Sequence, residues 1–270
     1  MSTPFVVMCA PNGARKTKDD HPALPIEPAE LADCAAGILA GGASIIHLHV
    51  RDAGGAHSLD TERYREAIAA VRERVGDALV IQVTTEACGI YTPDQQMAMV
   101  RELRPEAVSV ALREICPDDA SESAATDFYA WMNDARVMAQ HIVYAPEDLQ
   151  RFAALRDRGV IPDPGPFVLF VLGRYSESLT GDVAELDAFI DATPPDVTWA
   201  VCCFGRTEHE AAVAAAQAGG HARVGFENNL WLPDGKVAGD NTALVALAAE
   251  AGRRAGRTIA TADDVRGMFG

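Results

Sequence analysis

Apolar, β-branched runs alternate with amphipathic segments along the whole chain. Runs at residues 5–10, 44–50, 79–87, 107–113, 140–146, 167–173, 197–204 and 221–227 read as strands. Helical patterns fill the gaps at 28–40, 60–75, 92–103, 121–139, 146–158, 182–191, 207–218 and 241–255. The helix starts carry suitable chemistry: Pro28 sits at an early helical position with Glu30 close behind, Asp60 is an N-cap, and Thr92-Pro93 opens the third helix. Gly41-Gly42, Gly159 and Gly219-Gly220 mark helix stops. Residues 257–270, with a cap-like run at 261–264, predict a short final helix.

Eight strands alternating with eight helices predict an α/β fold, a closed (β/α)8 TIM barrel spanning residues 1–270 as a single domain. A doubly wound open sheet is the alternative, and no Gly-x-Gly-x-x-Gly follows the first strand to support it. No linker, repeat or low-complexity segment divides the chain.

With 49% hydrophobic residues, the 270-residue chain can bury a sizeable core. It has no apolar run of bilayer length and no signal-peptide pattern at its start, so a cytoplasmic protein with no membrane partner is expected. A formal net charge of -16 argues against nucleic acid and anionic membranes as partners. An anionic substrate then needs a local cluster of arginines. The six cysteines, at 9, 34, 88, 116, 202 and 203, show no Cys-x-x-Cys spacing and read as buried free thiols.

In such a barrel the chemistry belongs at the C-terminal strand ends. Polar residues gather there: Asn12 after the first strand, His47-Leu48-His49-Val50-Arg51-Asp52 at the second, Thr84-Thr85-Glu86 at the third and Arg113-Glu114 at the fourth. Glu147, Arg174, Arg206 and Glu227-Asn228-Asn229 follow the remaining four in turn. His47 and His49, two apart on a strand, share one face. The eighth strand neighbours the first, and the second lies just beyond, so Glu227 can reach the two imidazoles across the mouth. Two histidines and a carboxylate make a catalytic metal site with an open position. The competing account bonds both histidines to backbone carbonyls or to Asp52.

Of the other histidines, His141 and His221 fall at strand starts, His209 at a helix start, and His21 and His57 in loops. Arg113, Arg174, Arg206 and Arg223 come from four strand ends, and arginine suits bidentate carboxylate binding. Arg223 precedes Glu227 by four residues, one layer deeper, and is expected to pair with a buried acid.

These residues resemble the β-keto acid cleavage enzymes, a family once called a domain of unknown function and including 3-keto-5-aminohexanoate cleavage enzymes. The resemblance rests on Ala10-Pro11-Asn12-Gly13-Ala14 with residues 16–25, on the His47 to Asp52 motif, and on Phe170-Val171-Leu172-Gly173 and Gly205-Arg206. It continues through Arg223-Val224-Gly225-Phe226-Glu227-Asn228-Asn229 and Thr261-Ala262-Asp263-Asp264-Val265-Arg266. It implies a (β/α)8 barrel and a Zn²⁺, or another divalent transition metal, on His47, His49 and Glu227. It further implies a reaction of a β-keto acid with acetyl-CoA that yields a CoA ester and acetoacetate, an Arg223 that supports the base, and a homo-oligomer.

Three departures from the family pattern shape the expectations. Asn228 stands where the family has an acid proposed as the base, Glu86 where it has glycine, and Arg113-Glu114 where it has small residues. The candidate catalytic set is therefore Arg223, Glu86, Asn228 and Glu147, with Glu86 or Glu147 replacing the missing base. Thr84, Thr85, Arg113, Arg174 and Asn12 are the candidate substrate contacts, with Arg113 or Arg174 gripping a carboxylate. The alternatives are a metal-dependent retro-aldol or retro-Claisen lyase without a CoA acceptor, and a catalytically inactive metal-binding barrel.

Overall fold

Each predicted apolar run becomes a strand, and eight of the strands close on themselves in parallel. The computed structural model describes residues 3–162 and 165–270. In chain order the strands are β1 (Val7–Cys9), β2 (Ile45–Leu48), β3 (Val50–Arg51), β4 (His57–Ser58), β5 (Val80–Thr84), β6 (Ala107–Ala111), β7 (Met138–Val143), β8 (Phe167–Leu172), β9 (Thr198–Cys203) and β10 (His221–Val224). The barrel runs β1-β2-β5-β6-β7-β8-β9-β10 and closes by pairing β10 with β1, Val7 opposite Ala222. β3 and β4 form a small antiparallel ribbon above β2.

The helices are α1 (Pro28–Gly41), α2 (Thr61–Val75), α3 (Pro93–Leu103), α4 (Leu112–Ile115), α5 (Glu122–Asp134), α6 (Pro146–Asp157), α7 (Glu185–Ala192), α8 (Glu208–Ala218), α9 (Asn241–Arg254) and α10 (Ala262–Phe269). Local signals start them where expected. Asp60 accepts from Arg63 N, and Thr92 with Gln95 and Thr261 with Asp264 form capping boxes. Among the described residues, no helix is long and apolar enough to cross a membrane.

Two apolar layers result from the period-two alternation of the strands. One lies between barrel and helices. The other fills the barrel with Met8, Ile45, Val80, Leu169, Val171 and Cys202, and is closed from below by Ala262 and Val265 of α10. Phe269 stacks on Phe167 at the same end, ring centroids 4.2 Å apart.

Several boundaries shift. The helix expected over 121–139 ends at Asp134, because Arg136 turns the chain with φ of 55° and Met138 already pairs with Ala107 of β6. The strand expected over 107–113 stops at Ala111, and α4 follows at once. The last strand ends at Val224 rather than 227, at Gly225. His141 lies within β7, between the rings of Tyr129 and Phe152, and not at its start. Of the cysteines, Cys34 and Cys88 are only partly buried; all six are free thiols.

Candidate active site

Three ligand atoms meet at the top of the barrel. Nε2 of His47 lies 3.1 Å from Nε2 of His49. Oε2 of Glu227 is 3.3 Å from the His49 nitrogen and 3.7 Å from the His47 nitrogen. A tetrahedral ion with ligands at about 2.0–2.1 Å sets its donors about 3.3 Å apart, so the triangle fits a divalent metal. Glu227 Oε2 is buried without a hydrogen-bond partner among the described residues, as a metal-ligating oxygen would be.

The surroundings prepare each donor. Burial and the nearby charge of Arg223 pull His47 down to about 3, so its imidazole is neutral at physiological pH. Its Nδ1–H donates to Gln82 Oε1 (2.8 Å), whose amide donates on to Gln140 Oε1 (3.2 Å), and Gln140 Nε2 meets Met8 Sδ at 3.5 Å. This chain across the barrel leaves the His47 Nε2 lone pair free for a ligand. Burial pushes Glu227 up, but Arg223 and His49 more than reverse this and hold it well below the usual carboxylate range. Arg223 Nη2 donates to Glu227 Oε1 at 2.9 Å, so the acid it pairs with is the metal carboxylate itself.

Glu227 stands on a turn, not on a strand. Gly225 makes that turn at φ of 131°, where a Cβ would lie 2.5 Å from Ala10 O. The first loop packs as closely: a Cβ on Gly13 would lie 2.6 Å from Glu227 Cγ. Lys16 Nζ donates to Glu227 O (2.6 Å), and Asn12 Nδ2 to His49 O (2.9 Å). Arg51 Nη2 fastens this loop through Gly13 O and Lys16 O.

The triad forms part of a cavity of about 640 Å³. Loops from β1, β5 and β8 supply a charged group there. Arg15 Nη1 lies 2.7 Å from Glu86 Oε1, and Arg174 Nη2 lies 3.7 Å from the same oxygen. Burial pushes Glu86 up, but His49 and Arg15 hold it below the ordinary range. Arg174 donates no hydrogen bond among the described residues. Its guanidinium carbon lies 5.5 Å from the Phe204 ring and 5.8 Å from that of Tyr175. Asn228 is 3% exposed, and among the described residues neither atom of its side-chain amide has a partner. Thr84 and Thr85 line the same cavity with their hydroxyls engaged, Thr84 Oγ1 by Glu86 N and Thr85 Oγ1 on Ser109 O.

With this geometry in place, comparison with known proteins is decisive. The model of the beta-keto acid cleavage enzyme family matches residues 4–270. The chain belongs to that family. A 3-keto-5-aminohexanoate cleavage enzyme of Fusobacterium nucleatum is 31% identical over 98% of this chain and 97% of that protein. A 3-oxoadipate:acetyl-CoA acetyltransferase of Cupriavidus necator is 27% identical over 100% of this chain and 96% of that protein. Among solved structures, apo ObcA superposes with a TM-score of 0.73 at 18% identity; the match covers 92% of this chain and 65% of that longer one, and it supports the fold. The chain is thus an enzyme of a carbon–carbon bond-cleaving, acyl-transferring family.

Two residues expected at this chain's site fall outside the cavity. Arg113 is carried by α4, whose helical turn rotates it outward, and its Nε donates to Asp148 Oδ1 at 2.9 Å. Glu147 is exposed in the first turn of α6, because Asp148 is the residue that turns inward there, accepting from Tyr144 N and Ala145 N. Two histidines expected in loops are also buried. His21 binds Ala238 O through Nε2 and packs on Phe226, and His57 binds Glu86 O through Nε2 with its ring 5.4 Å from that of His49.

Other contributors are absent from the expected site set, although Glu114 stands at the fourth strand end. Arg15, a loop residue, carries no periodic signal. Glu114 lines the cavity with Oε2 held by Ala87 N and Gln96 Nε2, and burial raises its pKa. Gln82 did have a signal: it is a polar side chain at an inward position of an otherwise apolar strand.

Proposed function

We propose that this enzyme exchanges the acyl part of a β-keto acid with the acetyl group of acetyl-CoA, giving a CoA ester and acetoacetate, with Zn²⁺ held by His47, His49 and Glu227. The observation that carries this reading is the convergence of those three donors in the cavity of a chain of this family. Two imidazoles and one carboxylate are a donor set of catalytic zinc. An ion bound there supplies Lewis-acid polarisation of the ketone oxygen.

The chain's own residues carry the rest. Glu86 is ionised, faces the cavity and is not a metal ligand, and it takes the proton from the carbon between the ketone and the carboxylate. The electron pair left on that carbon forms a bond to the acetyl carbon, and CoA thiolate is expelled. The thiolate then adds to the former ketone carbon. The bond between that carbon and the deprotonated carbon breaks, the acyl part leaves as a CoA ester, and Glu86 returns its proton to acetoacetate. Arg223 keeps Glu227 charged. The guanidinium of Arg174, 3.7 Å from Glu86 Oε1 and steadied by two rings, receives a substrate carboxylate. Asn228 donates Nδ2 to a substrate oxygen, a bond its side-chain amide lacks among the described residues.

The test is acetoacetate release from a panel of β-keto acids, with and without acetyl-CoA, before and after chelation. Release should need acetyl-CoA, vanish on chelation and return with Zn²⁺. Consumption of keto acid without acetyl-CoA would favour the lyase, and full turnover in metal-free protein would remove the metal from the reaction.

A further inference from the structure

Glu208, the first residue of α8, is an acid that these steps leave unused. It is 3% exposed and makes no salt bridge among the described residues. Burial pushes its carboxyl up to about 8. A buried carboxyl without a direct ion-pair partner is costly, and a fold that keeps one has a use for it.

Its contacts show where that use lies. Oε1 accepts from Gly225 N at 3.0 Å, and Oε2 accepts from Asn229 Nδ2 at 3.2 Å. Gly225 is two residues before Glu227 and Asn229 two after it, so one carboxyl group grips both shoulders of the turn that carries the third metal donor. Asn229 is fixed in turn by Trp231, through Nδ2 on its carbonyl (2.7 Å) and Oδ1 on its amide (3.0 Å). The remaining amides of the turn are also taken. Phe226 N goes to Asn241 Oδ1 at the start of α9, and Glu227 N to Ala10 O. Without Glu208, among the described residues only Asn241 would hold this turn by a side-chain acceptor.

We propose that Glu208 is a positioning residue for the metal site: by bonding Gly225 and Asn229 it sets the Glu227 carboxylate against His47 and His49. The inference rests on the metal reading of that site. A glutamine at 208 keeps an acceptor for Gly225 but sets an amide N–H against Asn229 Nδ2–H, so it loosens one shoulder and spares the volume.

The experiment is Zn²⁺ affinity by chelator competition on metal-stripped protein, read beside the melting temperature of the same metal-free sample. Glu208→Gln should weaken Zn²⁺ binding about 10–100-fold, the range for lost supporting contacts. The control is Phe152→Leu, a core truncation remote from the mouth, which should lower the melting temperature and leave affinity unchanged. If Glu208→Ala does not fold, the glutamine variant alone decides. Wild-type affinity in folded Glu208→Gln would overturn the proposal, as would an affinity loss that Phe152→Leu reproduces at equal melting temperature. A wild-type protein that binds no divalent ion would overturn the metal reading as well, and that result is distinct from the other two.

Discussion

At the lower end of the barrel, His221 accepts from Val6 N at 3.0 Å, and Arg257 donates to the carbonyls of Thr3, Pro4, Ala216 and Gly220. At the upper end, His47 and Arg223 are buried just as fully, yet their neighbourhood is left open. Among the described residues, Arg223 Nε, Glu227 Oε2, His49 Nδ1 and both side-chain amide atoms of Asn228 lack partners. The same residue types therefore do two jobs. Where an arginine spends its donors on backbone carbonyls, it ties strands and termini together. Where polar atoms stay unspent beside a cavity, the missing partners belong to a ligand.

Changes at each end should separate these jobs. The largest effect is expected from Glu86→Gln at the mouth, which should cut turnover about 10²–10⁴-fold, the span of a lost general base, and leave the melting temperature in place. Full turnover in steady-state assays would remove Glu86 from the reaction. Arg257→Met at the base should do the reverse. It strips donors from buried carbonyls and should cost about 3 kcal/mol in denaturant unfolding, while Zn²⁺ affinity of the folded protein holds. A loss of affinity there would mean that the two ends are coupled.

The smallest effect is a pH dependence. Burial and then the charge of Arg257 depress His221 to about 3 in the folded state. The unfolded chain takes that proton first, near 6.5, so the stability linked to His221 is present above pH 6.5 and is lost as pH falls toward 3. Between pH 7 and 5 the loss should be about 2 kcal/mol. His221→Asn keeps an acceptor for Val6 N and should flatten the unfolding profile by that amount. An unchanged slope would assign the acid sensitivity to other groups.

How far the sequence reveals this site depends on which element holds each residue. His47 and His49 were legible because strand alternation alone puts them on one face, and the barrel followed from the alternation of runs. Glu227 was placed by strand adjacency, although a glycine turn rather than a strand presents it. Arg113 and Glu147 depart from expectation because neither strand end continues straight. One turn of α4 and the cap of α6 swing both away, and Asp148 takes the inward place. Arg15, His57 and Glu208 approach the site from a loop, the short β4 ribbon strand and a helix start, where direction is set by tertiary packing that no local period encodes.

The seam between β1 and β10 has a bearing on synthesis. Val7 to Cys9 align with Ala222 to Val224, and Phe5 bridges to Ile259, so the first barrel strand waits for the last. During translation the half-built wall exposes a raw edge until residues near 260 clear the ribosome. Completion of the ring is thus a late, long-range event, and a nascent chain stalled before β10 is a natural client for chaperones.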